Sequence, residues 1–360
     1  MSASQKVATA AGRPPSVITR ANQVSPSQLI ELMNAYVPAR LPVLISGAPG
    51  IGKSDIVEQV ARTTGHDLLI SHPVVEDPTD SKGLPFPDGR VARFLPFGDL
   101  ERALRATTPL LWFLDDLGQA SPAVQAAKMQ LLLARRIGEH ALPDCVTFVA
   151  ATNRRNDNAG VSGILDPVLS RFATIVELVP NIADWTAWAV RSGVPAELIA
   201  FLRFRPDLLS VKKTSRDIEN AASPRTWGFV AKTMPVVPKS LELVSYVGSV
   251  GEAAASELMS FLAIYRELPS PDAIIMSPDT APIPDTPAAL YAVSSALAAH
   301  STEGNFERVL TYNQRLIDVG HREFGALLAR DAVRRKPELA GTHAFIRAQG
   351  GEIGKIIRGE

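Results

Sequence analysis

Gly47-Ala48-Pro49-Gly50-Ile51-Gly52-Lys53-Ser54 has the spacing G-x-x-x-x-G-K-[ST], and its residue types suit the holding of a phosphate chain. Gly47, Gly50 and Gly52 let the backbone turn tightly, so that successive N–H groups point inward at phosphate oxygens. Lys53 would reach the β- and γ-phosphates, and the Ser54 hydroxyl would sit on Mg²⁺. Leu110-Leu111-Trp112-Phe113-Leu114 is an apolar run that ends in Asp115-Asp116. Ligands of open α/β sheets bind outside the carboxyl ends of the strands, so an acid there can hold the water shell of Mg²⁺. Asp115 is the candidate metal residue beside Ser54. Asp116, the second acid, is the candidate to polarise an attacking water. Asn153, closing Val149-Ala150-Ala151-Thr152-Asn153, can orient that water as a neutral amide. Read alone, the two acids would cap a turn and the Thr-Asn pair would end a strand. Their order after an intact loop favours the chemical reading.

These side chains need strands and helices to place them. Pro42–Ile45 reads as a buried strand entering the loop, and Asp55–Arg62 as the helix leaving it, whose positive N-terminal end favours phosphate. The nucleotide set is therefore Gly47, Ala48, Pro49, Gly50, Ile51, Gly52, Lys53, Ser54 and Asp55. Ser25–Tyr36 opens with a Ser cap and has a 3.6-residue apolar period. Short strands are expected at Leu68–Ile70, Leu110–Leu114, Cys145–Ala151 and Thr174–Leu178. Helices are expected at Asp99–Ala106 and Ser121–Arg136, the second with Pro122 at its first position. Asp88-Gly89 between extended arms, within Gly83–Leu95, predicts a hairpin. Alternating strands and helices imply a parallel sheet with right-handed crossovers, an α/β fold. Strands stop after about Pro180. Leu268–Pro287 carries six prolines and reads as a linker or an ordered strap.

The 360 residues suggest two or three domains. Apolar residues make up 46% and charged residues 21%, which is ordinary for a soluble globular protein. Lys plus Arg (37) equals Asp plus Glu (37), so no global field recruits nucleic acid or an anionic membrane. The basic groups Arg135-Arg136, Arg154-Arg155 and Arg334-Arg335-Lys336 read as solvated faces. The single cysteine, Cys145, excludes an internal disulfide framework and reads as a buried structural thiol. No run reaches the length of a membrane span, and residues 1–23 lack a signal-type apolar segment. A cytoplasmic protein with a loose N-terminal arm is expected.

Gly47–Ser54, Leu110–Asp116, Ala150–Asn153, Leu165–Phe172 and Ser223-Pro224-Arg225-Thr226-Trp227 stand in the order and spacing of AAA+ ATPases, and the chain most resembles their MoxR-like branch. Phe201–Leu208 and Asp77–Leu84 are also similar to segments of that branch. The resemblance covers about Ser25 to Met234. It implies an AAA+ P-loop core with a parallel sheet flanked by helices over 25–180, a helical lid over 181–235 and a C-terminal helical region over 236–360. A flexible arm over 1–24 precedes these, and the Pro-rich linker 268–287 lies in the last. By resemblance, Arg171 is an arginine finger reaching a neighbour's γ-phosphate, and Arg225 a lid arginine sensing the phosphate of its own subunit. It further implies ATP and Mg²⁺ as cofactors, a homo-oligomeric ring, commonly a hexamer, and a protein client to be remodelled or matured. A partner carrying a von Willebrand factor A domain is typical of the branch. The Asp88-Gly89 hairpin resembles an insertion facing the client side, where Phe86, Phe94 and Phe97 either touch a client or pack on the core. Asp116 departs from the family's Glu. Two other readings are a nucleic-acid motor or loader, against which the neutral charge speaks, and a weakly hydrolysing assembly protein, which rests on Asp116 alone.

Overall fold

The structure, a computed structural model, describes residues 20–137, 140–154, 163–213, 217–350 and 354. Its strands are β1 (Gln23–Val24), β2 (Val43–Gly47), β3 (Asp67–Ser71), β4 (Leu84–Asp88), β5 (Val91–Leu95), β6 (Leu110–Leu114), β7 (Arg136–Ile137), β8 (His140–Ala141), β9 (Val146–Thr152) and β10 (Thr174–Leu178). Six of them form one parallel sheet in the order β1-β10-β2-β9-β6-β3. Every residue of β2, β6 and β9 is buried, as expected of strands covered on both faces. Side-chain alternation divides the core. Leu111 and Phe113 meet Val57 and Val60 of the helix Lys53–Thr63 and Met33 of the helix Pro26–Tyr36. Leu110, Trp112 and Leu114 meet Leu131 and Leu132 of the helix Pro122–Ala134 on the other face. Ser25 and Ser121 cap their helices as the sequence predicts.

Between β3 and β6, β4 and β5 pair as an antiparallel hairpin with Gly89 at φ 64° in the turn. It stands between the short helices Pro78–Lys82 and Gly98–Leu104. Leu84, Phe86, Val91, Phe94 and Leu95 are exposed, so Phe86 and Phe94 do not pack on the core, whereas Phe97 is half-buried. The end of β3 and the helix after the hairpin are linked at Trp112. Its Nε1 donates to Ser71 Oγ at 2.7 Å, and Ser71 Oγ donates to Asp99. The buried Lys128 Nζ lies 5.2 Å from the Trp112 ring centre and 2.7 Å from Glu76 Oε2.

Several expectations need correction. Gln23–Val24 pairs with β10 and is an edge strand, so the ordered fold begins before Ser25. The helix expected through Arg136 ends at Ala134, because Arg135 turns left-handed (φ 52°) and Arg136–Ile137 pairs with His140–Ala141. Cys145 is half-buried, its Sγ donating to Ala106 O at 3.4 Å. Arg335 and Lys336 are not on a solvated face. Arg335 Nη2 donates to Val194 O at 3.4 Å and Lys336 Nζ to Ser301 O at 2.7 Å, and burial draws the Arg335 guanidinium below its usual range.

After β10 the described residues are helical. The helices Ile182–Arg191, Ala196–Phe204 and Pro224–Thr233 share one apolar core with Glu242–Val250 and Glu252–Glu267, so that core runs past residue 235. A second core joins Pro287–His300, Phe306–Asp318 and Arg322–Arg335. Arg203 and Asp331 tie the two with a buried forked ion pair (Nη2 to Oδ1, 2.9 Å). Residues 268–287 pack as a strap. Tyr312 Oη donates to Pro282 O at 2.8 Å, and Arg315 Nη1 to Pro278 O and Ala281 O at 2.6 and 2.8 Å.

Candidate nucleotide site

β2 runs directly into the loop, and the helix after it starts at Lys53. Gly50 (φ 73°) and Gly52 (φ 101°) adopt the left-handed backbone that a side chain would resist. Gly50 is also closely approached: a Cβ there would come 2.9 Å from Ser223 Oγ and 3.3 Å from Arg225 Cβ. The Arg225 N–H donates to Gly50 O at 3.0 Å, so the helix Pro224–Thr233 starts against the loop. Its Ser223 capping box fixes that start.

Sheet order decides which side chains meet. β9 lies between β2 and β6, so Asn153 at its end falls between the loop lysine and the acids. Lys53, only 7% exposed, donates from Nζ to Asn153 Oδ1 at 2.7 Å, Gly47 O at 2.9 Å and Ala48 O at 3.1 Å. Asn153 Nδ2 donates to Asp116 Oδ1 at 3.2 Å. Ser54 Oγ donates to Asp115 Oδ2 at 2.8 Å, and the Asp115 N–H to Ser71 O at 2.9 Å. Asp116 adopts a left-handed backbone (φ 57°), which aspartate tolerates better than most residues. Its Oδ1 accepts from Asn153 Nδ2, and Gln119 Nε2 also donates to Oδ1 at 3.0 Å. Gln119 was not legible in the sequence; only the Asp116 turn brings it in.

The donor set fits the expected groups. A hydroxyl and a carboxylate one hydrogen bond apart suit Mg²⁺, which keeps several waters and takes few protein ligands. No cluster of three or more His, Cys, Asp or Glu able to hold a metal occurs among the described residues. A cavity of about 720 Å³ opens from Gly50, Gly52 and Asp55 toward Pro26, Ile30, Trp188 and Arg225, giving apolar walls beyond the loop. Sequence reasoning did not anticipate those walls, because they come from three separate helices. Asp115→Asn is expected to lose Mg²⁺-dependent turnover, since an amide holds the hydrated ion poorly. A magnesium titration of phosphate release checks this. If Asp116→Asn removes the Mg²⁺ dependence and Asp115→Asn does not, the two roles are reversed.

Arg225, exposed, lines this cavity. Arg171 does not join the constellation. It precedes β10, at the edge of the sheet opposite the loop, and donates from Nη1 to Pro167 O at 2.5 Å and Ser170 Oγ at 3.0 Å. Five strand residues separate that edge from the loop, roughly 17 Å. Arg171 lines a second cavity of about 360 Å³ with Arg40 and Arg135.

No model of a protein family matches the chain. Among curated proteins it is similar to Midasin of Giardia intestinalis, with 27% identity over 171 residues, 45% of this chain and 4% of that one. The chain thus spans a small fraction of that relative's length. Among solved structures it is similar to the Thermotoga maritima RuvB Holliday junction branch migration motor, at 16% identity and a TM-score of 0.38, over 86% of this chain and 91% of that one. It is also similar to NtrX of Brucella abortus in complex with ADP, at 12% identity and a TM-score of 0.33, over 92% and 66%. At these scores the fold assignment stands on strand order and site geometry. No helix among the described residues is long and apolar enough to cross a membrane. The fold is an α/β core whose parallel sheet is flanked by helices, with the G-x-x-x-x-G-K-S loop leaving β2, followed by a helical region.

Proposed function

We propose that the chain is an ATP-hydrolysing AAA+ ATPase of MoxR-like type that works as a ring on a client protein. The observation that carries this reading is the continuous hydrogen-bonded path Lys53–Asn153–Asp116, with Ser54–Asp115 beside it. With ATP in the loop, the Lys53 ammonium exchanges the Gly47 and Ala48 carbonyls for the β- and γ-phosphate oxygens. Asn153, released from Lys53, orients a water that Asp116 polarises toward the γ-phosphate. Ser54 and Asp115 would hold Mg²⁺, which supplies charge neutralisation of the phosphates when bound. Arg225, next to Gly50, contacts the phosphate from its own subunit.

Arg171 lies at the far end of the strands from this loop, which supports the role that the resemblance gives it, on a phosphate held by another copy. Its side chain then completes the neighbour's active site, and assembly is a condition of hydrolysis. The exposed apolar side chains of the hairpin β4–β5 support a protein client, and Arg93 among them is paired with Asp88 at 2.9 Å. A von Willebrand factor A domain protein is the partner that the resemblance supplies, and the cytoplasm the compartment.

The test is size and specific activity together. Gel filtration with a non-hydrolysable ATP analogue should give a ring, with six copies expected. The rate per chain should fall as the protein is diluted below assembly. A monomer whose rate per chain stays flat on dilution would overturn the ring mechanism.

A further inference from the structure

Glu177 is a buried carboxylate, 6% exposed, on β10 beside the strand that leads into the loop. In the sheet register it stands opposite Ser46, one residue before the pairing of Leu178 with Gly47. Both of its oxygens are engaged. Gln23 Nε2 on β1 donates to Oε2 at 3.1 Å, and Arg154 Nη1 donates to Oε1 at 2.9 Å. Arg154 directly follows Asn153, where the β9 ladder has already ended at Thr152. β10 and β9 are not neighbours, because β2 lies between them. The arginine therefore reaches over the root of the loop, across two strand spacings or roughly 9–10 Å. A buried carboxylate holds its cation firmly, since losing the partner leaves an uncompensated charge. The link thus pins the chain one residue beyond Asn153, whose amide must both release Lys53 and hold the water.

We propose that Arg154 is a positioning residue for Asn153, anchored by Glu177 across the loop strand. The inference rests on the ATPase reading and deepens it. Among the described residues the β9 ladder ends before Asn153, whose carbonyl accepts from Thr152 Oγ1 at 3.1 Å, and a neutral amide orients water only while its own position is fixed. Glu177 and Arg154 supply that fixation without touching the nucleotide. Binding rests on the loop and Lys53, so the link bears on the rate and not on affinity.

The test is single-turnover hydrolysis by the full-length protein. Arg154→Ala should lower the rate on the order of 10- to 100-fold, as misplacement of a positioning group does, and leave the ATP concentration for half-maximal rate within about twofold. Arg154→Lys, which keeps the charge, should recover most of the rate. The decisive arm repeats the change in an Asn153→Ala background, where removing Arg154 should cost less than about twofold further, because a residue acting through another is not additive with it. A loss of equal size in both backgrounds would overturn the proposal and make Arg154 a direct phosphate contact or a general stabiliser. Should Arg154→Ala fail to fold, Glu177→Gln loosens the same link without burying an unpaired charge, and should lower the rate in the Asn153 background only. A normal wild-type rate with an unaffected Arg154→Ala rate would overturn this proposal alone. Absence of wild-type hydrolysis would overturn the ATPase reading and take the proposal with it.

Discussion

Lys53→Ala is expected to abolish ATP binding at working concentrations. The ammonium is nearly buried and lies at the meeting point of Gly47, Ala48 and Asn153, where the phosphates of a bound nucleotide would come. A charge pair at about 4 Å in such a setting is worth about 4 kcal/mol, or roughly a thousandfold in affinity. The loop amides remain but supply only partial charges. Titration with a fluorescent ATP analogue measures the loss. It should be the same at every protein concentration, because the contact is made within one subunit. Unchanged affinity would remove the loop from the account.

Arg171→Ala should bind ATP normally and hydrolyse it about 10³- to 10⁵-fold more slowly, because a finger guanidinium meets charge that develops mainly in the transition state. The geometry makes the effect separable from binding. Arg171 bonds to Pro167 and Ser170 in its own turn, at the sheet edge away from the loop. Mixing is the informative arm. Lys53→Ala subunits keep Arg171 but cannot hold ATP, whereas Arg171→Ala subunits hold ATP but lack the finger. Where the two co-assemble, some sites regain both parts, so partial activity should return that neither variant shows alone. Gel filtration establishes that mixed rings form. Mixed rings that stay inactive would place Arg171 in its own subunit or in a structural role, provided the ring does not require every site to fire together.

Much of this was legible because short-range chemistry set it. The apolar runs at Leu110–Leu114 and Thr174–Leu178 became strands with those bounds, and Asp88-Gly89 turned the hairpin, because burial and turn conformation are local properties. The loop and its acids were readable for the same reason: residue type and spacing carry the chemistry. What was missed is long-range or too short to show a period. β1, β7 and β8 have two residues each, below any alternation signal. The contact of Gln119 with Asp116 depends on one left-handed residue. The Arg203–Asp331 pair spans 128 positions, so the joining of the helices around Arg203 to those around Asp331 has no local trace. The walls of the cavity beside the loop come from helices that only tertiary packing brings together.

Turnover of ATP along the Lys53–Asn153–Asp116 path is read out by phosphate release. Wild-type protein and Lys53→Ala protein are compared at one concentration, above that needed for assembly, with saturating ATP and Mg²⁺. Many turnovers per chain are expected for the wild type and none above background for Lys53→Ala. A wild-type rate indistinguishable from that of Lys53→Ala would contradict turnover along that path.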